Sequence, residues 1–130
     1  MKLDRFRVRH NDRHVEQLLA AIPPDPGKLP PNEQFVYNAD FHTSVIEASG
    51  NAFLMMAAQP LFSILQNQLA RSSLGSRFHR GIHQQHRAIL TAIEGGEARR
   101  AEKEMRQHLE YLRPHYERTW RYAVRAAEHA

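Results

Sequence analysis

The chain has 130 residues, enough for one compact domain with a single buried core and too few for two ordinary domains. Its hydrophobic content of 42% and charged content of 25% are near globular averages, which argues against a disordered or fibrous protein. Zero cysteines exclude disulfides and thiolate metal sites, so imidazole, carboxylate, amide or water must supply the ligands of any metal. No membrane-length apolar run and no signal-peptide apolar region is present, so we expect a cytoplasmic protein.

The net charge of +4 raises the question of nucleic-acid binding. The arginines near the C-terminus are interspersed with glutamates, which is typical of a solvated helix face. The opening MKLDRFRVRH alternates arginines with apolar residues and indicates a short extended arm, a weak nucleic-acid signal. Residues 1–31 are therefore expected to hold this arm, a short helix from about residue 12 to residue 22, and the proline-rich linker PPDPGKLPP. Residues 32–130 are expected to form a metal- and ligand-binding helical bundle.

Five helical segments are predicted within the bundle from caps, breakers and apolar periodicity. Pro60 is expected to open the third of them, and Pro114 to kink the fifth. Their predicted bounds are Asn32 to Gly50, Asn51 to Gln59, Pro60 to Ser72, Ser76 to Ile93, and Glu97 to Glu128. Because no stretch alternates like a buried strand, the predicted fold class is all-α, an antiparallel bundle of about five to seven helices.

Four polar residues interrupt the apolar stripes that these helices should turn toward the core. Asn38 and His42 lie on the stripe of the first bundle helix, and as an i, i+4 pair they are roughly 40° apart on the helix cylinder. His86 and His108 complete the stripes of the last two helices. Each taken alone fits a core residue that is hydrogen-bonded to a carbonyl or a water. Together they predict a divalent-metal site, because one cation can satisfy several buried imidazoles while each ring stays neutral.

Other residues near these positions receive weaker assignments. Asp40 falls on the far side of its helix from Asn38 and is predicted to be a solvated carboxylate. His83 either flanks the site, contacts its ligands from outside, or is exposed, and His79 lies one further turn back. Surface positions are predicted for His10, His14, His115 and His129. Core or pocket-wall positions are predicted for Phe53, Leu54, Met55, Met56, Leu61, Phe62 and Leu65.

The run NADFHTSVIEASGN, followed by HRAILTAIEGGEARRAEKEMRQHL, resembles the FCD domain, the C-terminal effector-binding domain of FadR-type regulators in the GntR family. The matching features are Asn38 three residues before Phe41-His42, the ASGN close, His86 within HRAILTAI, the Gly-Gly-Glu turn, and His108-Leu. The resemblance covers about residues 33–120. Each of these short motifs is common by itself, and their combination is specific for the FCD domain.

The resemblance implies a bundle of six or seven helices with a metal, commonly zinc or nickel, on Asn38, His42, His86 and His108. It also implies a small organic acid effector in the open coordination positions, and we expect a homodimer. Two departures from the family pattern stand out. Asn38 occupies a position that is most often a carboxylate, and a neutral amide is a weaker donor. Only 37 residues precede Asn38, so we expect no winged-helix domain and no direct DNA binding by this chain.

Two other function classes remain open at this stage. A metal-dependent enzyme is possible chemically, since an open position on a histidine-bound metal can activate water. The chain lacks an HExxH motif and any Glu-x-x-His pair, and Glu47, at i+5 from His42, is poorly aligned as a general base. The other class is a metal-free helical interaction module, which the neutral Asn38 favours.

Overall fold

Five α-helices and one 3-10 turn make up the part of the chain that the computed structural model describes, residues 13–69 and 75–129. In chain order they are α1 (13–20), the 3-10 turn Pro26–Lys28, α2 (Pro31–Ala48), α3 (Ala52–Leu69), α4 (Ser76–Glu94) and α5 (Ala98–Glu128). No strand occurs within the described ranges, and the predicted all-α class is confirmed. None of the described helices is long and apolar enough to span a bilayer.

Two glycines with positive φ set the turns between consecutive helices. Gly50 (φ 69°) separates α2 from α3, and Gly96 (φ 67°) separates α4 from α5, in a backbone region that favours glycine. The short second turn folds α5 back along α4, and these two helices form the most extensive packing between elements. At its other end α2 begins at Pro31 with Pro30 as N-cap, one residue before the predicted start at Asn32. Proline is well suited to a first helical turn, because the N–H that it lacks would have no helical partner there.

Helix α3 differs most from its prediction. It is one helix that runs through Pro60, not two shorter ones. Its apolar residues were expected in the core, but Phe53, Leu54, Met56 and Leu61 are 83%, 46%, 70% and 60% exposed. Within the described chain α3 packs against α2 and, less extensively, α5, so much of its surface faces solvent. Phe62 is partly buried, as a pocket wall would be; the side chain of Leu65 lies outside the described residues.

The hydrophobic core joins the first helix to α2 and α4. Leu18 and Ile22, from α1 and the turn after it, cluster with Phe41 of α2 and with Ile89 and Leu90 of α4. Leu18 and Phe41 are completely buried. The short N-terminal helix therefore contributes to the same core as the bundle, while the domain division at residue 31 stays a prediction.

Candidate metal centre

Three buried histidines from three helices meet at their Nε2 atoms. His42 comes from α2, His86 from α4 and His108 from α5, and their exposed fractions are 8%, 0% and 0%. His108 Nε2 lies 3.0 Å from His86 Nε2 and 3.2 Å from His42 Nε2. The core packing of α2, α4 and α5 thus brings together three of the four residues that the sequence predicts.

Hydrogen bonding among the three rings cannot satisfy this arrangement. Gln85 Oε1, a carbonyl oxygen, accepts a 2.6 Å hydrogen bond from His108 Nδ1, so the proton of neutral His108 is on Nδ1. Its Nε2 then has a single in-plane lone pair, yet two other ring nitrogens lie within hydrogen-bond distance of it. At most one of them can donate to that lone pair with good geometry. Three converging nitrogens therefore call for a shared partner.

A divalent ion fits that requirement. Two imidazole nitrogens bound at about 2.0–2.1 Å to one ion stand about 3.0–3.4 Å apart for angles between about 95° and 109°. The two Nε2 separations at His108 are within this range, and all three ligand atoms lie within 4.8 Å of one another. Gln85 also provides what metal-bound histidines commonly have, an acceptor that fixes the tautomer from the other side of the ring.

Asn38 lies one turn before His42 on α2, as the sequence predicts. Its Oδ1 is buried and has no hydrogen-bond partner among the described residues. Burial raises the pKa of the Tyr116 phenol and the Asn38 side chain lowers it, burial being the larger effect. A buried amide oxygen without a hydrogen-bond partner suits a fourth ligand. That Asn38 and the three histidines together bind a metal stays a prediction.

Burial keeps the three imidazoles uncharged at neutral pH. Desolvation lowers the pKa of His42 to about 4. Desolvation, with the neighbouring histidines adding to it, lowers the pKa of His108 to about 3 and that of His86 well below its usual 6.5. Neutral imidazole is the form that binds a metal, so no proton has to be displaced at physiological pH.

Aromatic rings hold two of the histidines in place. Phe41 stacks on His86 with centroids 3.9 Å apart and an interplanar angle of 5°. Phe62 lies over His42 at 5.8 Å and 30°. These contacts restrict the ring orientations and keep the surroundings apolar, where electrostatic and coordination bonds are strong.

The predicted exposure of the remaining histidines and of Asp40 is confirmed for some of them and not for others. Asp40 and His129 are exposed, as predicted, and His10 lies outside the described residues. His14 and His115 are partly buried rather than fully on the surface. His79 and His83 are 3% and 2% exposed, so the exposed alternative for His83 is wrong.

Two glutamines next to the histidines were not predicted from the sequence: Gln85 lies beside His108, and Gln34 lies beside His83. Gln34 Oε1 lies 2.8 Å from His83 Nε2. Gln34 falls at four-residue spacing with Asn38 and His42 on one face of α2, which was a signal for an inward polar side chain but not for its partner His83.

The fold and the site together define an all-helical domain with an internal, histidine-lined site. The sequence matches the FCD domain family over residues 7–111, and the chain therefore belongs to that family, the effector-binding domain of GntR-family regulators. No curated protein and no solved structure matches the chain.

Proposed function

We propose that this chain is the effector-sensing domain of a GntR/FadR-type transcription regulator, in which Asn38, His42, His86 and His108 hold a divalent metal, zinc or nickel. The proposal rests on the convergence of three neutral imidazoles. His108 Nε2 lies 3.0 Å from His86 Nε2 and 3.2 Å from His42 Nε2, and hydrogen bonds among the rings cannot pair all three nitrogens. Membership of the FCD family supports the same role.

An effector would bind where the ion accepts a fifth or sixth ligand. Three histidines and one amide supply four ligands, and a bound ion that expands beyond four-coordination would supply Lewis acidity to attract the carboxylate of a small organic acid. The amide and imidazole ligands are neutral, so the ion keeps its full positive charge toward that carboxylate. Since α2, α4 and α5 each supply a ligand, acid binding would bias the relative positions of these three helices. The cluster contains no carboxylate among the described residues, which favours sensing over hydrolysis.

Two features support the proposed partners. Two arginines of α5 form exposed ion pairs within the helix, Arg106–Glu102 at 3.0 Å and Arg113–Glu110 at 2.8 Å. We propose that the chain is cytoplasmic and does not bind DNA directly. The exposed apolar residues of α3 form a broad surface that a second copy would cover, so we propose a homodimer.

The test is the metal content of the purified protein, compared with His86→Ala, His108→Ala and the exposed control His129→Ala. We expect about one ion per chain in wild type and in the control, and loss of the ion in both site variants. A thermal-shift screen of small carboxylic acids on the metal-loaded protein should then find acids that raise Tm in wild type and not in the site variants. Absence of stoichiometric metal, or equal metal in His86→Ala, would overturn the proposal.

A further inference from the structure

A cavity of about 270 Å³ lies between the proline-rich loop and α4. Loop residues 25–27 form one wall, and one stripe of α4 forms the other. That stripe consists of Arg80, His83, Gln84 and Arg87, at positions i, i+3, i+4 and i+7. His83 also contacts His86, with ring centroids 5.8 Å apart, so this cavity adjoins the candidate metal centre without sharing a ligand with it.

The cavity presents two guanidinium groups. Neither Arg80 nor Arg87 forms an ion pair with another described residue, whereas the one acidic lining residue, Asp25, pairs with Lys28 at 3.6 Å. The Arg80 guanidinium lies beside Gly27: a Cβ built there would be 2.5 Å from Arg80 Nη2 and 2.8 Å from its Nε. A side chain at position 27 would therefore displace the guanidinium from its present place. Two guanidiniums that form no ion pair with a described residue, in one concave site, favour the binding of an oxyanion.

The two guanidiniums donate hydrogen bonds to a ligand, whereas His83 needs to accept one from it. Gln34 Nε2 donates to the carbonyls of Pro26 and Leu29, which orients its Oε1 toward His83 Nε2 at 2.8 Å. The proton of neutral His83 is therefore on Nε2, and its Nδ1 is a lone-pair acceptor. This Nδ1 is buried and has no hydrogen-bond partner among the described residues, and His83 lines the cavity. Because the atom is closed to solvent, a ligand in the cavity reaches it only when the His83 ring shifts toward the cavity. A ligand that satisfies it must donate a hydrogen bond.

We propose that this cavity is an anion site for hydrogen phosphate, with its anionic oxygens on Arg80 and Arg87 and its remaining hydroxyl donating to His83 Nδ1. Sulfate has the same shape and charge without a proton at neutral pH, and a phosphate monoester has also lost its second proton there. Both should bind more weakly, because each would place an oxygen lone pair against the Nδ1 lone pair. Free phosphate and the phosphoryl group of a metabolite are thus distinguishable at this site.

The experiment is calorimetric titration of the full chain, metal-stripped and zinc-loaded, with inorganic phosphate, sulfate and methyl phosphate slightly above neutral pH. We expect phosphate to bind about tenfold more tightly than the other two anions, with or without zinc. Arg87→Gln should weaken phosphate binding by about tenfold or more, and Gly27→Ala, which displaces the Arg80 guanidinium, should weaken it as well. Arg99→Gln, an equal charge change on exposed α5, should have no effect.

Four results would overturn the site. Three are the absence of phosphate binding at millimolar concentration, equal binding of sulfate and phosphate, and unchanged phosphate binding by Arg87→Gln. The fourth is phosphate binding that requires zinc, because the anion would then be at the metal. Zinc affinity of Arg87→Gln, measured in parallel, should match wild type. Failure of the anion site therefore leaves the metal-sensing proposal standing, and the reverse also holds.

Discussion

The contact between Gln85 and His108 gives the sharpest prediction about the metal centre. Gln85 Oε1 accepts from His108 Nδ1 at 2.6 Å, and this contact fixes the tautomer that turns the Nε2 lone pair toward His42 and His86. Gln85→Leu removes the acceptor and leaves His108 free to adopt the other tautomer or to rotate. Loss of such an outer partner typically costs 10–100-fold in metal affinity, so we expect zinc binding to weaken by about 1.4–2.7 kcal/mol.

The assay is competition for zinc against a chromophoric chelator, with folding checked by circular dichroism. Gln85→Glu should bind zinc at least as tightly as wild type, because a carboxylate is a stronger acceptor for the His108 N–H. Gln107→Leu, an exposed substitution of the same kind on α5, is the matched control and should not change the affinity. Unchanged zinc affinity in Gln85→Leu would refute the reasoning that His108 binds through Nε2 under the control of Gln85.

Three further predictions concern charge, the fourth ligand and the dimer. Because burial lowers the pKa of His42 to about 4 and of His108 to about 3, the unfolded chain binds more protons than the folded one below pH 6.5. The metal-free protein should therefore lose about 1.4 kcal/mol per histidine per pH unit between about pH 6 and 4; urea unfolding that is flat over this range would contradict the burial of neutral rings. Asn38→Asp should tighten zinc binding but destabilise the metal-free protein, because a buried carboxylate needs the cation. The substitution should therefore raise Tm with zinc and lower Tm without it. A Tm shift of the same sign in both conditions would rule Oδ1 out as a ligand. Replacing Phe53 and Met56 of α3 by Asp should convert a dimer to a monomer in light scattering, and a dimer that persists would place the interface elsewhere.

The helical stripes predicted the convergence of three histidines better than they predicted the bundle around it. His42, His86 and His108 each complete an i, i+3, i+4 pattern of strongly apolar residues, and a helix has one inward face, so their convergence followed from packing alone. The bounds of α2, α4 and α5 were predicted to within a few residues for the same reason.

Three features were not accessible from periodicity. Phe53 and Met56 are apolar but exposed, since which face of α3 meets a partner is decided by tertiary and quaternary packing, not by the sequence of that helix. Pro60 removes one N–H donor, and the rest of α3 continues as a helix despite that loss. The burial of His83 depends on Gln34, a partner 49 residues away, and such a pair leaves no local signal.

Anomalous diffraction from crystals of the zinc-loaded protein shows whether Asn38 and the three histidines share one ion. We expect one zinc peak per chain, about 2.0–2.2 Å from Nε2 of His42, His86 and His108 and from Oδ1 of Asn38. A zinc peak only at surface histidines such as His129, or none at the buried cluster, would contradict it.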